Sequence, residues 1–116
     1  MSSPSEATLE QLTELFRLLS DKTRLNILFL LRDGEQNVTS LCERLDLPQP
    51  TVSHHLGLLR MNNLIENRRA GKQVFYGLSS RFPPAVDGVL NFRADGFAVR
   101  LDPTKRDGAG HAAVVQ

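Results

Sequence analysis

The chain has 116 residues, of which 41% are hydrophobic and 23% are charged, and its formal net charge is +1. These values predict one soluble globular domain, and no apolar run reaches the about 18–20 residues of a membrane helix. The single cysteine excludes an internal disulfide framework and a multi-thiolate metal centre within one chain. The start of the chain has no basic segment followed by an apolar one, which predicts no signal peptide and a cytoplasmic location.

The charge is unevenly distributed along the chain. Residues 1–46 contain five basic and eight acidic side chains, residues 47–81 contain five basic ones and Glu66 alone, and residues 82–116 contain four of each. A basic middle third predicts contact with a polyanion at one face, and an ordinary solvated surface is the alternative.

The first half of the chain predicts three helices. Apolar residues at helical spacing indicate a first helix over about residues 6–19, and Ser20 and Asp21 can cap a second, almost wholly apolar one. Asp33-Gly34 should end that helix. Asn37 can cap a short third helix with one apolar stripe, formed by Val38, Leu41, Cys42 and Leu45.

A fourth helix should begin near Pro50, which suits a first helical turn. At 100° per residue its packing side consists of Val52, Leu56, Leu59 and Asn63. Its outward side is small, polar or basic, and Gly57 there would allow close approach of a bulky partner. The outward hydrogen-bonding residues are Gln49, Thr51, Ser53, His54 and Arg60. His55 is expected on the flank of the helix.

Two strands, 64–69 and 73–78, should form a hairpin with Arg68, Arg69 and Lys72 at its tip. Two short helices followed by a basic hairpin predict a winged helix-turn-helix, a mainly α fold with a β wing (α+β). A helix of this kind fits the major groove of double-stranded DNA, and a basic tip suits the phosphate backbone.

Three motifs resemble the ArsR/SmtB family of bacterial repressors: Leu19 to Leu28, Thr51 to Leu56 and Val74 to Leu78. The resemblance covers about residues 8–80. It implies a homodimeric repressor that pairs through its first helix, binds an inverted-repeat operator and leaves when an inducer binds. It implies base reading by Gln49, Thr51, Ser53 and His54, and backbone contacts by Arg68, Arg69 and Lys72.

The resemblance argues against the family's metal sites. Asn37 and Thr39 stand where the thiolate site of the family has cysteines, and the C-terminal third offers one histidine, His111, without the ligand spacing of the second site. Cys42 is expected to be a buried small hydrophobe, and its functional alternative is a thiol-based redox sensor. The sequence therefore predicts no metal at either family site and no cofactor. The inducer stays open between a metal at a non-standard site, a reactive species at Cys42, a small organic ligand and no inducer at all.

The C-terminal third departs from the family, whose fold ends in a long helix that pairs across the dimer. Phe82-Pro83-Pro84 breaks the chain, and Asp95-Gly96 between alternating apolar residues predicts a hairpin of strands 89–93 and 97–101 instead. The predicted organisation is a DNA-binding domain over 1–81, an extension over 82–101 that is a second candidate dimer contact, and a flexible tail over 102–116.

Two other functions are alternatives to that of a DNA-binding regulator. A protein-interaction module could keep the fold and lose DNA binding, and the intact basic tip counts against it. An enzyme is not expected, because no nucleophile stands with a base at usable spacing and no phosphate-binding loop is present.

Overall fold

A computed structural model describes residues 3–103. In this part of the chain the helices are α1 (Glu6–Leu19), α2 (Lys22–Leu31), α3 (Val38–Leu45) and α4 (Gln49–Met61). The strands are β1 (Gln36–Asn37), β2 (Ile65–Ala70), β3 (Gln73–Leu78), β4 (Leu90–Arg93) and β5 (Ala98–Leu101). This order confirms the predicted winged helix-turn-helix and the C-terminal hairpin. The expected flexible tail lies, from residue 104 onward, outside the described residues.

Side-chain caps set the starts of three helices. Ser5 accepts a hydrogen bond from the Thr8 N–H, Asp21 from those of Thr23 and Arg24, and Asn37 from that of Ser40. The predicted caps Asp21 and Asn37 are thereby confirmed. Each cap satisfies backbone donors that the first turn of a helix would otherwise leave without a partner.

The ends of α3 and α4 depend on residues with left-handed backbone. Asp46 (φ 53°) closes α3, where the Leu47 N–H donates to the Cys42 carbonyl at 3.2 Å. Asn63 (φ 63°) closes α4 in the same way. The prediction that Asn63 lies on the packing side of α4 is wrong, because the helix ends at Met61 and Asn63 is exposed.

The wing is a three-stranded antiparallel sheet in the order β1-β3-β2. Its long pair runs from Ile65 opposite Leu78 to Ala70 opposite Gln73, and a two-residue loop containing Gly71 (φ 62°) joins the strands. Strand β1 contributes only two pairs with β3, Gln36 with Tyr76 and Asn37 with Phe75. The wing is joined to the helical body by this short edge and by core packing of Ile65, Tyr76 and Leu78 at its base.

The core lies between the helices and the two hairpins. Ile27, Leu28 and Leu31 of α2 are buried, and its other apolar residues are half-buried. The C-terminal segment contributes to the same core with Phe82, Leu90 and Phe92, and the rings of Phe82 and Phe92 meet edge to face at 5.3 Å. The hairpin thus gains the packing partner that an isolated hairpin lacks.

The loop of this second hairpin rests on α1. A Cβ built on Gly96 would lie 2.3 Å from the Thr8 hydroxyl oxygen, so only glycine permits this approach. The contact brings the first helix of the chain against its last two strands. No helix in residues 3–103 is both long and apolar enough to cross a membrane.

Candidate nucleic-acid interface

Helix α4 presents a polar face to solvent. Its buried side consists of Val52, Leu56 and Leu59, as the sequence predicted. On the other side Gln49, Ser53 and His54 are exposed, and Thr51 is half-buried. Within residues 3–103 none of these four side chains makes a hydrogen bond or an ion pair, so their polar groups are available to an external partner.

The start of α4 differs from the other helix starts because it lacks a capping side chain. Pro48 occupies the capping position and Pro50 lies in the first turn. Pro50 has no N–H, and the Thr51 and Val52 N–H groups donate to the Pro48 carbonyl, each at 3.1 Å. Within the described residues this leaves the Gln49 N–H of the first turn without an acceptor, and such a group at the positive end of the helix dipole is suited to an anion such as a phosphate.

Arg60 is exposed but lies at the other end of α4. Arg60 lies eleven positions after Gln49, so at 1.5 Å per residue the two are about 16 Å apart along the helix axis. There it borders a shallow cleft that also contains Asn63, Glu66 and Asn67. The structure does not bring Arg60 together with the residues at the start of α4.

The adjacent histidines have different environments. His54 is exposed, whereas His55 is half-buried with its Nδ1 3.3 Å from an Arg24 Nη atom and 4.0 Å from an Asp21 carboxylate oxygen. The prediction that His55 lies on the flank of the helix is confirmed, and His55 ties α4 to the start of α2.

Asp21 completes that tie. The hydrogen bond from the Arg24 backbone N–H, together with the nearby Arg24 guanidinium, His55 and the Thr23 N–H, lowers the pKa of Asp21 below its ordinary value of 3.8, although partial burial opposes the shift. The carboxylate also lies 3.9 Å from the Arg24 guanidinium. The charge of Asp21 is thus part of the junction that holds α4 in place.

The basic tip of the wing is divided between two faces. Arg69 shares a face of the sheet with Val74 and with Tyr76, which packs against the core. Arg68 points to the opposite face, where it bonds to Glu35 and stacks over Phe75. In the described residues the side chains of Arg69 and Lys72 have no hydrogen bond or ion pair, so the three cations expected together are not equivalent.

Glu35 is the residue that sequence analysis missed. It follows Gly34 in a loop, and its ion-pair partner Arg68 is 33 positions away, so no local sequence pattern reveals it.

Cys42 is half-buried and packs against the core. Asn37, at one expected position of the family's thiolate site, caps α3. Residues 3–103 contain no group of three or more His, Cys, Asp or Glu side chains arranged to hold a metal ion. His111 lies outside the described residues.

Two short helices joined by a tight turn, an outward polar face on the second, and an adjoining basic hairpin define a winged helix-turn-helix protein. Residues 21–67 match the family described as bacterial regulatory protein, arsR family. The chain is 48% identical over 79 residues to the arsenical resistance operon repressor of Escherichia coli (strain K12), which covers 67% of this chain and 68% of that protein.

Two further proteins extend this comparison. The regulator KmtR of Mycobacterium tuberculosis is 41% identical over 80 residues, covering 67% of this chain, and the match spans only 62% of its own length. A solution structure of the homodimeric winged helix-turn-helix DNA-binding domain of Mb0332 from Mycobacterium bovis is 31% identical, with a TM-score of 0.57, over 67% of this chain and 75% of that one. The chain belongs to the ArsR family and is a transcriptional regulator.

Proposed function

We propose that this regulator is a homodimeric repressor that binds an inverted-repeat operator and is released by an inducer. The observation that carries the proposal is the exposed, unpartnered polar face at the start of α4. A dimer would place two such helices in successive major grooves, about 34 Å apart. Repression is the activity named for the Escherichia coli relative, and the homodimer is that of the Mycobacterium bovis structure.

Each proposed contact follows from its position. Gln49, Thr51, Ser53 and His54 have the donors and acceptors that base edges require, and they lie at the end of the helix that enters a groove first. Arg69 and Lys72 would neutralise phosphates beside them, and Arg60 would do so at the far end of α4. The Gln49 N–H, at the positive end of the α4 dipole, would donate to a further phosphate.

The homodimer is proposed to form through α1. Leu9 and Phe16 lie two turns apart on one side of this helix and are 45% and 51% exposed, so this side presents apolar surface to solvent. A second copy would cover them. The variant Phe16→Glu should convert the dimer to monomers in sedimentation equilibrium, and an unchanged mass would place the dimer contact elsewhere, with the C-terminal hairpin as the next candidate.

DNA binding is tested by selecting genomic fragments with the full chain and titrating salt on the recovered DNA. Enrichment of one inverted repeat, with log affinity falling steeply against log salt, is expected. Arg69→Ala should lower affinity on every sequence and make that slope shallower by about 1. Arg93→Ala is the matched control, because Arg93 is also exposed but lies on the second hairpin.

Base reading is tested by His54→Ala and Ser53→Ala on the selected repeat and on mutated repeats. We expect weaker binding and relaxed preference at one position of each half-site, with an unchanged salt slope. Ser80→Ala is the control, since Ser80 is exposed outside α4 and the wing strands. If no fragment is enriched and binding is weak and uniform, the protein-interaction module becomes the better account of the fold.

A further inference from the structure

An ion pair connects the wing to the body of the protein on the face turned away from Arg69. The Nε of Arg68 donates to both carboxylate oxygens of Glu35, at 2.8 and 3.1 Å. Both side chains are about half exposed, at 56% and 44%. We call this pair the Glu35–Arg68 strap.

The strap spans the full width of the three-stranded sheet. Glu35 immediately precedes β1, Arg68 lies on β2, and β3 runs between them. The strap passes β3 at Gly77, where a Cβ would come within 3.2 Å of the Glu35 Cγ. Without a side chain at residue 77, Glu35 can lie across the strand and reach Arg68.

A second contact fixes the same guanidinium. Arg68 and Phe75 are directly opposite each other in the β2–β3 ladder, and the guanidinium lies over the Phe75 ring at 4.9 Å. Arg68 is therefore held by a carboxylate on one side and an aromatic ring on the other. Arg69, its neighbour in sequence, points to the opposite face and has no such partner in the described residues.

The base of the wing is packed into the core, but its outer part has few attachments, because Ile65 is the one buried residue of β2. Strand β1 pairs with β3 through two residues and does not pair with β2 at all. Strand β2 nevertheless carries Arg69 and leads to Lys72 at the loop. The strap is a direct tie from the body to the strand that carries these cations.

We propose that Glu35 and Arg68 are positioning residues for DNA binding, which hold the wing at the angle where Arg69 and Lys72 reach the phosphates. Arg68 then acts through the wing and makes no phosphate contact of its own. This inference rests on the proposed function of the wing. It gives Arg68 a different role from that of the other two tip cations.

The decisive experiment measures the affinity of Glu35→Ala and Arg68→Ala for a selected operator at several salt concentrations. Each variant should bind about two- to fivefold more weakly, the range expected for an exposed ion pair. Both should keep the wild-type salt slope, because no phosphate contact is removed. The double variant should be no weaker than the weaker single variant, since both changes remove one strap.

Two results would overturn the proposal. Tighter binding by Glu35→Ala would mean that Glu35 masks Arg68 from DNA. A salt slope shallower by about 1 in Arg68→Ala would mean that Arg68 touches a phosphate directly. Glu66→Ala is the matched control, because Glu66 is an exposed acid on the same strand and face, with no hydrogen bond or ion pair in the described residues.

A measurement without DNA separates the strap from the proposed function. Backbone amides of β2 and β3 should exchange hydrogen faster in Glu35→Ala and Arg68→Ala than in wild type or Glu66→Ala. Equal exchange in all four proteins would show that the strap does not hold the wing. If exchange rises as expected but Arg69→Ala leaves DNA binding unchanged, the proposed role of the wing is wrong and the strap itself stands.

Discussion

The polar surface formed by α4 and the wing tip contrasts with the half of the molecule formed by α1, α2 and the C-terminal hairpin. In the first, the side chains of His54, Arg60, Arg69 and Lys72 make no hydrogen bond or ion pair within residues 3–103. In the second, Phe82 and Phe92 pack against each other, and Asp21 and Arg24 form a polar cluster that reaches His55 across the junction with α4. Single exposed side chains without partners occur there too, as at Arg93, so the first region differs in combining unpaired cations with an exposed polar helix start.

The contrast is clearest in the two hairpins. Both have short connections, of two residues in the wing and four in the second hairpin, yet the strands of the wing are mostly exposed or half-buried, while Leu90 and Phe92 of β4 are buried. The wing hairpin therefore projects into solvent, whereas the second hairpin packs against the core. The variants below test this contrast, beginning with the largest expected effect.

Phe92→Ala tests whether the C-terminal hairpin is an integral part of the core. The ring is 8% exposed, and its loss should lower the free energy of unfolding by about 3–5 kcal/mol in chemical denaturation. A loss below about 1 kcal/mol would mean that the hairpin is a separable extension. Met61→Ala is the control, since Met61 is 77% exposed and its removal should change stability by no more than about 0.5 kcal/mol.

Gly96→Ala tests the contact between this hairpin and α1. The added methyl group would collide with the Thr8 hydroxyl, so we expect a loss of about 1–3 kcal/mol in the free energy of unfolding. Adding Thr8→Ala should recover part of this loss, because the nearest clashing atom is then removed. No recovery in the double variant would show that the strain lies in the loop itself.

Asp21→Ala tests the polar cluster that supports α4. Loss of the cap should cost about 1 kcal/mol at neutral pH, and Asp21→Asn, which can still cap the helix, should cost less. Because the pKa of Asp21 is lowered in the folded protein, its charge stabilises the fold fully above its ordinary pKa of 3.8. That contribution disappears as the pH falls through the lowered pKa.

The pH dependence of the difference between wild type and Asp21→Asn therefore has a definite sign. In thermal unfolding from pH 7 to pH 2, the part due to charge should be constant above about pH 5 and shrink below the ordinary pKa. A difference that grew on acidification would contradict the lowered pKa of Asp21.

Gly57→Ala gives the smallest expected effect and is the counterpart of Gly96→Ala. A Cβ at Gly57 meets no atom within 4 Å, so alanine should raise the free energy of unfolding by about 0.5–1 kcal/mol through better helix propensity. Any loss of DNA affinity in this more stable protein then reports the close approach of DNA to α4. Unchanged affinity would place the DNA surface farther from Gly57.

The sequence predicted most of the fold because its determinants are local. Apolar spacing located the helices, Asp21 and Asn37 marked two of the starts, and Asp95-Gly96 marked the second hairpin. The error at Asn63 has a physical cause. Helical periodicity continues past the point where a left-handed residue ends the helix, and asparagine tolerates that conformation well enough to act as glycine would.

The candidate site was only partly predictable. The exposure of Gln49, Ser53 and His54 follows from the period of one helix. Arg68 is paired and Arg69 is not, because only one face of the sheet meets Glu35. Alternation along a strand separates neighbouring residues but does not say which face has a partner. That information comes from tertiary packing between segments distant in sequence.

The contact between Thr8 and Gly96 has a consequence for the order of folding. It joins the two ends of the described chain, so closing it fixes almost every residue between them, while the helix-turn-helix and the two hairpins form from near neighbours. Contacts that enclose long loops cost the most chain entropy and form late. We expect the nascent protein to assemble the helix-turn-helix and the wing first and to close last by packing the final hairpin against the first helix.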